Sequence, residues 1–183
     1  FTIERSRPGV VLTGSLKALG CWGLAYDGKT LWATVENSDT ILKIDPVTFS
    51  TIAVIRVKTT QGRRSFTDLT FHPTKGTLFV HDIRDASPDK MGGGLLHEID
   101  TLGNVLHTWI SPCRYPTGLG YLANTGGNNG ALLAADLFGS QDLFLIDPDN
   151  GSTLRTISRP GIIELGPMGI AAAADGKKFW QII

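Results

Sequence analysis

A repeat of about 49 residues constrains the fold of this chain more than any other feature of its sequence. Four segments begin with a similar opening, and their apolar anchors are Leu24, Leu69, Leu119 and Ile170. These anchors lie 45, 50 and 51 residues apart. In the first three units, two further signatures follow in the same order: a Leu-x-Ala or Leu-x-Val segment, and then Ile44-Asp45, Ile99-Asp100 or Ile146-Asp147. Three features that recur in one order predict a chain of repeated structural units.

Each unit is predicted to contain four short β-strands. In the first unit these strands cover residues 22–26, 30–36, 40–45 and 50–57. The third strand alternates apolar and polar side chains, and the fourth is rich in β-branched residues, which suit a pleated and half-buried surface. Asp-Gly and Asp-Pro dipeptides between the strands indicate tight turns.

Two positions within the repeat allow sharper predictions. Phe49 stands where the third unit has Gly151, so we expect the turn of the first unit to keep a negative φ at Phe49 or to shift by one residue. The segment 130–138 has a composition that favours a helix. It lies where the other units have their second strand, so we predict a strand there.

Repeated four-stranded units without helices predict an all-β chain, a β-propeller of four-stranded antiparallel blades. A single small sheet cannot bury both of its faces, whereas blades stacked around an axis cover one another. With 183 residues and about 49 per unit, the chain holds about 3.7 blades. This number predicts an incomplete ring, because propellers close with about four to eight blades.

The predicted division of the chain follows the repeat. A blade remnant occupies residues 1–19, and three blades and a partial blade follow at 20–58, 66–111, 115–159 and 166–183. The sequence begins at Phe1 and its last unit contains only two predicted strands. We therefore expect it to be a piece of a longer chain, and we recognise no signal peptide at its start.

The residues of the repeat resemble those of known bacterial propellers. The segments 23–28, 31–35 and 44–48 are similar to NHL and YVTN-type repeats, and so is the segment 69–80. In NHL-like blades an Asp often ends the second strand, and Asp82 and Asp136 occupy that position, whereas the first unit has Val35. The resemblance covers about residues 20–180 and implies a secreted or periplasmic protein.

Composition excludes several classes of protein. Lys and Arg together number 17, as do Asp and Glu together, so the chain lacks the basic excess that usually marks a protein with a nucleic-acid or acidic-membrane partner. No apolar run approaches the ~18 residues of a membrane-spanning helix.

The two cysteines cannot form a disulfide framework. Cys21 and Cys113 belong to blades two positions apart, so we predict two buried free thiols, with a bond between them as the alternative.

Functional residues are expected in the loops on one propeller face. The resemblance implies that this face is formed by the loops between second and third strands and by the loops between blades. The longest of these loops, 82–94, contains three consecutive glycines. The candidate binding residues in these loops are acidic, amide and arginine side chains: Glu36, Asn37, Arg63, Arg64, Asp82, Arg84, Asp85, Arg114 and Asp136.

No catalytic residue, metal site or cofactor is predicted. The four histidines occupy scattered blade positions, and the loop 82–94 lacks the spacing and closing Glu of a known calcium loop. A Gly-x-Ser-x-Gly nucleophile elbow is absent. Each candidate binding residue also has a structural interpretation, as a solvated or turn-forming side chain.

These observations predict a non-catalytic binding or scaffolding propeller whose partner is a protein, a peptide or a small ligand. An enzyme of the propeller lactonase or lyase type is the alternative, and a structural segment of a larger cell-surface or secreted protein is a third possibility. The enzyme would be favoured by convergence near the axis of at least three side chains from one set: Glu36, Asn37, Asp68, His81, Asp82 and Asp136.

Overall fold

All regular secondary structure in the described residues is β-strand. The structure is a computed structural model, and it describes residues 2–4, 11–13, 20–58, 65–83, 94–127, 129–137, 140–158, 169–172 and 179–182. The strands are β1 (Thr2–Glu4), β2 (Val11–Thr13), β3 (Cys21–Tyr26), β4 (Leu31–Val35), β5 (Thr40–Ile44), β6 (Thr51–Arg56), β7 (Phe66–His72), β8 (Thr77–Asp82), β9 (Leu95–Ile99), β10 (Val105–Ile110), β11 (Pro116–Leu122), β12 (Ala131–Asp136), β13 (Leu143–Ile146), β14 (Thr153–Ile157), β15 (Gly169–Ala172) and β16 (Phe179–Ile182).

The strands form three four-stranded antiparallel sheets and two hairpins. The sheets have the orders β3-β4-β5-β6, β7-β8-β9-β10 and β11-β12-β13-β14, so each strand pairs with its neighbour along the chain. The hairpins are β1-β2 and β15-β16. The structure confirms the all-β prediction, and β12 confirms that the Ala- and Leu-rich segment near residue 133 is a strand.

The repeated Ile-Asp signature forms the turn between the third and fourth strands of each sheet. The Asp45 carboxylate accepts hydrogen bonds from the amides of Val47 (2.8 Å) and Thr48 (2.9 Å). Asp100 accepts from Leu102 and Asn104, and Asp147 accepts from Asp149. This Asp therefore recurs because its side chain satisfies turn amides that no strand can pair with.

The turn at Phe49 contradicts the sequence prediction. Phe49 has a φ of 57°, close to the 73° of Gly151 in the equivalent turn. Both amides donate to the carbonyl group of the turn Asp, Phe49 to Asp45 and Gly151 to Asp147, each at 2.9 Å. The first unit therefore keeps the same turn, because the hydrogen bonds of the Asp outweigh the steric cost of a left-handed Phe, which is of order 1 kcal/mol.

Apolar side chains fill the space between successive sheets. Trp32 and Ile41 of the first sheet pack with Phe66 and Leu78 of the second. Phe79 and Leu96, on the other face of the second sheet, pack with Leu119 and Leu132 of the third. The third sheet packs its remaining face against Ile170 of β15. Successive sheets thus bury the faces that they turn toward each other, as stacked blades require.

The described sheets form an open arc. The first strands β3, β7, β11 and β15 approach one another in sequence and line its inner side. On the first sheet, the face directed away from β7 exposes Trp22, Leu24 and Tyr26 at 46%, 50% and 55%. Contacts between the described sheets therefore leave part of this apolar face uncovered, in keeping with a ring that the three sheets do not close.

Candidate functional site

The antiparallel topology divides the candidate residues between two ends of the sheets. We call the end where the second strands finish, at Val35, Asp82 and Asp136, the loop face. The opposite end, with the turns at 27–30 and 73–76, is the turn face. The described candidates Glu36, Asn37, Asp82, Arg114 and Asp136 lie at the loop face, and Arg63, Arg64, Arg84 and Asp85 lie outside the described residues.

Asp82 and Asp136 anchor the chain segments that enter their own sheets. The Oδ1 atom of Asp136 accepts from the Tyr115 amide at 2.7 Å, and its Oδ2 accepts from the Ser140 amide at 3.0 Å. Asp82 Oδ1 accepts from the Ser65 amide at 3.1 Å in the equivalent way. Both carboxyl groups are buried, so these bonds to backbone amides compensate for lost hydration.

The first sheet has no Asp at the end of its second strand, and a backbone hydrogen bond holds the chain there. The Glu36 amide donates to the Gly20 carbonyl at 2.6 Å, and Asn37 has a φ of 53°, which suits the turn between β4 and β5. The side chains of Glu36 and Asn37 are exposed. Asn37 therefore has a clear structural role, and Glu36 presents a carboxylate to solvent at this face.

A histidine connects Asp82 to the outer strand of the second sheet. His97 Nε2 lies 3.6 Å from Asp82 Oδ2, and His97 Nδ1 is 2.8 Å from the Thr108 hydroxyl. The ring also meets the Phe66 ring edge-on at a centroid distance of 6.2 Å. His97 and Asp82 are both buried, and they extend the loop anchor into the core between the first and second sheets.

His81, Ser111 and Cys113 meet between the second and third sheets. Ser111 Oγ lies 3.3 Å from His81 Nε2 and accepts from the Cys113 amide at 3.1 Å. Burial, together with the neighbouring His97, lowers the pKa of His81 to about 3, so this ring is neutral at physiological pH. Burial and the charge of Asp136 raise the pKa of Cys113 well above its usual range, which makes the thiol unreactive.

Both cysteines are free thiols, as the sequence analysis predicted. Cys113 is buried in the core between the second and third sheets. Cys21 is only partly buried, so the prediction of a buried thiol is wrong at this position, although burial still raises its pKa.

Asp68 lies on β7, one of the first strands that line the inner side of the arc, and we did not predict it as a binding residue. Its Oδ1 accepts from the Leu69 amide and its Oδ2 from the Leu119 amide, each at 2.8 Å, and the Leu24 amide also donates to it. Burial outweighs these hydrogen bonds and raises the pKa of Asp68 to about 7. The available sequence signal was an Asp at a position where the other three units have Gly23, Gly118 and Gly169.

The turn face contains an ionic contact between the second and third sheets. Lys75 Nζ lies 3.4 Å from Glu98 Oε2 and 3.0 Å from Asp149 Oδ1, and it donates to the Pro148 carbonyl at 2.9 Å. Glu98 is buried and also accepts from the Thr77 hydroxyl at 2.9 Å. The contacts of Lys75 with Asp149 and Pro148 cross the boundary between the two sheets, so they stabilise the stacking, whereas Glu98 bonds to Lys75 and Thr77 within the second sheet.

The acidic and histidine side chains that the structure describes do not converge on a common metal-binding point. Within the described part of the chain, no group of three or more His, Cys, Asp or Glu residues is placed to hold a metal ion. Among the same residues, no helix is long and apolar enough to cross a membrane. At the loop face, Asp82 and Asp136 thus each bond to backbone amides around their own sheet, whereas the Glu36 carboxylate is exposed.

Comparison with known proteins supports the fold. No protein-family model matches the chain, and neither does any curated protein. Among solved structures, it is similar to Kuenenia stuttgartiensis hydrazine synthase (TM-score 0.61, 14% identity), covering 98% of this chain and 46% of that one. It is also similar to Myxococcus xanthus glutaminyl cyclase (TM-score 0.60, 16% identity), covering 87% of this chain and 66% of that one.

Both similar structures are β-propeller-type folds. Together with the three stacked antiparallel sheets, they confirm the predicted class, a β-propeller of four-stranded blades. The chain spans less than two thirds of the length of either protein. At these identities the likeness concerns the fold alone.

Proposed function

We propose that this chain is a non-catalytic propeller module that presents its loop face to a protein, a peptide or a small ligand. The observation that carries the proposal is the use of the buried loop-face carboxylates, Asp82 and Asp136, as anchors for loop backbones. Groups engaged in this way hold the loops in place and are not presented to a substrate. We further propose that the repeat is of the NHL or YVTN type, with blades at 20–58, 66–111 and 115–159.

The remaining described candidates suit a binding surface. Glu36 and Asn37 are exposed beside the turn between β4 and β5, and Arg114 is partly exposed in the segment before β11. From the sequence alone, we also propose Arg63, Arg64, Arg84 and Asp85 as residues that contact the partner. A surface that carries both signs of charge is suited to orienting a polar partner, because complementary charges determine register and encounter rate.

The proposal is tested by selecting ligands from a phage-displayed random peptide library on the immobilised chain. Affinities of enriched peptides are then measured for three charge-reversal variants: Glu36→Lys and Arg114→Glu on the loop face, and Lys29→Glu on the turn face. Lys29 is exposed in the same sheet as Glu36, so it is a matched control. We expect about a tenfold loss of affinity in at least one loop-face variant, since rim charges mainly affect encounter and orientation.

Two results would contradict the proposal. One is a set of enriched peptides whose affinity is unchanged in both loop-face variants, and the other is a set of peptides whose affinity falls only in Lys29→Glu. Turnover of lactones by the wild-type chain, with loss of turnover in Asp68→Asn or Asp136→Asn, would favour the enzyme instead.

A further inference from the structure

Each first strand has one edge that faces the inner side of the arc and that pairs with no other strand in the described sheets. In the described sheets β3, β7 and β11 each pair with one strand only, on their outer side. Their inward-facing N–H groups therefore need another acceptor, because a buried amide without a hydrogen bond is costly. The amides of Leu24, Leu69 and Leu119 find that acceptor in one side chain, the Asp68 carboxyl group.

The three donors occupy equivalent positions in three repeat units. Leu24, Leu69 and Leu119 are the anchors from which the repeat spacing was measured, and each comes from a different sheet. The three amides converge because the sheets are stacked. The amide at this position of each first strand points toward the inner side of the arc. The bond to Leu119 connects residues 51 positions apart in sequence.

Glycine at the equivalent positions makes room for this carboxyl group. A Cβ added to Gly23 would collide with Asp68 Oδ1 and would lie 2.6 Å from Asp68 Cα and 2.9 Å from the Leu69 amide nitrogen. A Cβ added to Gly118 would lie 3.0 Å from the Ile170 amide nitrogen. The first strands approach so closely that one side chain fits at this level, and Asp68 supplies it.

We propose that the amides of Leu24, Leu69 and Leu119 form a carboxyl-binding cradle and that Asp68 is its built-in ligand. The chemistry matches, since a planar carboxyl group offers two oxygens that can accept several N–H donors at once. Asp68 is only 7% exposed, so water does not replace it as the acceptor in the folded chain. A chain that lacks this side chain should then bind a small monocarboxylic acid in its place. This inference is independent of the proposed function of the loop face.

The test uses Asp68→Gly, which gives the second unit the residue found at the other three equivalent positions. Thermal unfolding of the wild type and of the variant is measured in sodium formate and in sodium chloride at equal ionic strength. We expect 100 mM formate to raise the melting temperature of Asp68→Gly by about 3 °C relative to chloride, and to leave the wild type unchanged. In ¹⁵N-labelled Asp68→Gly, the amide resonances of Leu24, Leu69 and Leu119 should move together as formate is added.

Equal melting temperatures in formate and chloride would overturn the proposal, as would formate-dependent shifts confined to other amides. If Asp68→Gly does not fold in either salt, Asp68→Asn takes its place, because Asn keeps the shape of the side chain and one acceptor oxygen. Its amide nitrogen cannot accept, so at least one of the three leucine amide protons should move upfield relative to the wild type. Unchanged resonances at all three leucines would show that the carboxyl group is not their acceptor.

Discussion

At the scale of single residues, the protonation of Asp68 on the inner side of the arc makes the stability of the chain depend on pH. Its pKa rises from 3.8 to about 7 in the folded chain, because burial penalises the charged form more than the three amides stabilise it. The folded state therefore binds a proton that the unfolded state releases between these two values. It follows that the stabilising contribution of this group is present at low pH and is lost as the pH rises toward 7.

We therefore predict that the unfolding free energy of the wild type, relative to Asp68→Asn, falls between pH 5 and pH 7. The slope should approach about 1.4 kcal/mol per pH unit and should level off above pH 7. Urea unfolding at several pH values measures this difference, and the contributions of other titrating groups cancel between the two chains. A difference that is constant or that grows with pH would show that Asp68 is already ionised in the folded chain at pH 5.

At the scale of strands, the close approach of β3 to β7 determines which residues the repeat tolerates. Gly23 lies where an added Cβ would be 2.6 Å from the Asp68 Cα, which belongs to a paired strand and cannot move aside easily. Gly76 provides a contrast, because it lies in a turn with a φ of 68° and open space around its Cβ position. The two glycines are therefore required for different physical reasons.

We predict that Gly23→Ala lowers the unfolding free energy by about 3 kcal/mol, because the added methyl group forces two strands apart. Gly76→Ala should cost only about 1 kcal/mol, the price of a left-handed alanine. Denaturant unfolding of both variants gives the comparison. Equal losses in the two variants would mean that β3 and β7 are not in close contact at Gly23.

The sequence allowed the strands and the repeat to be predicted, because both depend on short-range patterns. The anchors Leu69 and Leu119 recur since each must enter the core between two sheets, and the Asp of the Ile-Asp signature acts on amides two to four residues away. The partners of the site residues depend on contacts between distant segments. Asp82 binds an amide 17 residues away and Asp136 one 21 residues away, so local sequence patterns could not reveal these anchoring bonds.

Phe49 shows a different limit of the sequence. Conformational preference predicted a negative φ there, and the value of 57° follows from hydrogen bonds that the turn Asp imposes on the whole segment. The preference of one residue is worth about 1 kcal/mol, and several hydrogen bonds together exceed it. The turn geometry common to the repeat therefore predicts the φ of Phe49 better than the conformational preference of Phe does.

At the scale of the whole molecule, stacked sheets provide a scaffold and buried carboxylates hold the loops to it. The inner strands follow one another along the arc, and the spaces between sheets are filled by apolar side chains. Asp82 and Asp136 repeat the same anchoring bond in successive sheets. We therefore infer that these acids order the loop face rather than act on a ligand.

Amide hydrogen exchange in Asp136→Ala and the wild type tests this claim most directly. We predict that exchange at Tyr115 and Ser140 accelerates in the variant, because both amides lose their acceptor, whereas exchange at Ser65, which Asp82 holds, is unchanged. Unaltered protection of Tyr115 and Ser140 in Asp136→Ala would contradict the account, since the Asp136 carboxylate would then not be what holds the loop face in place.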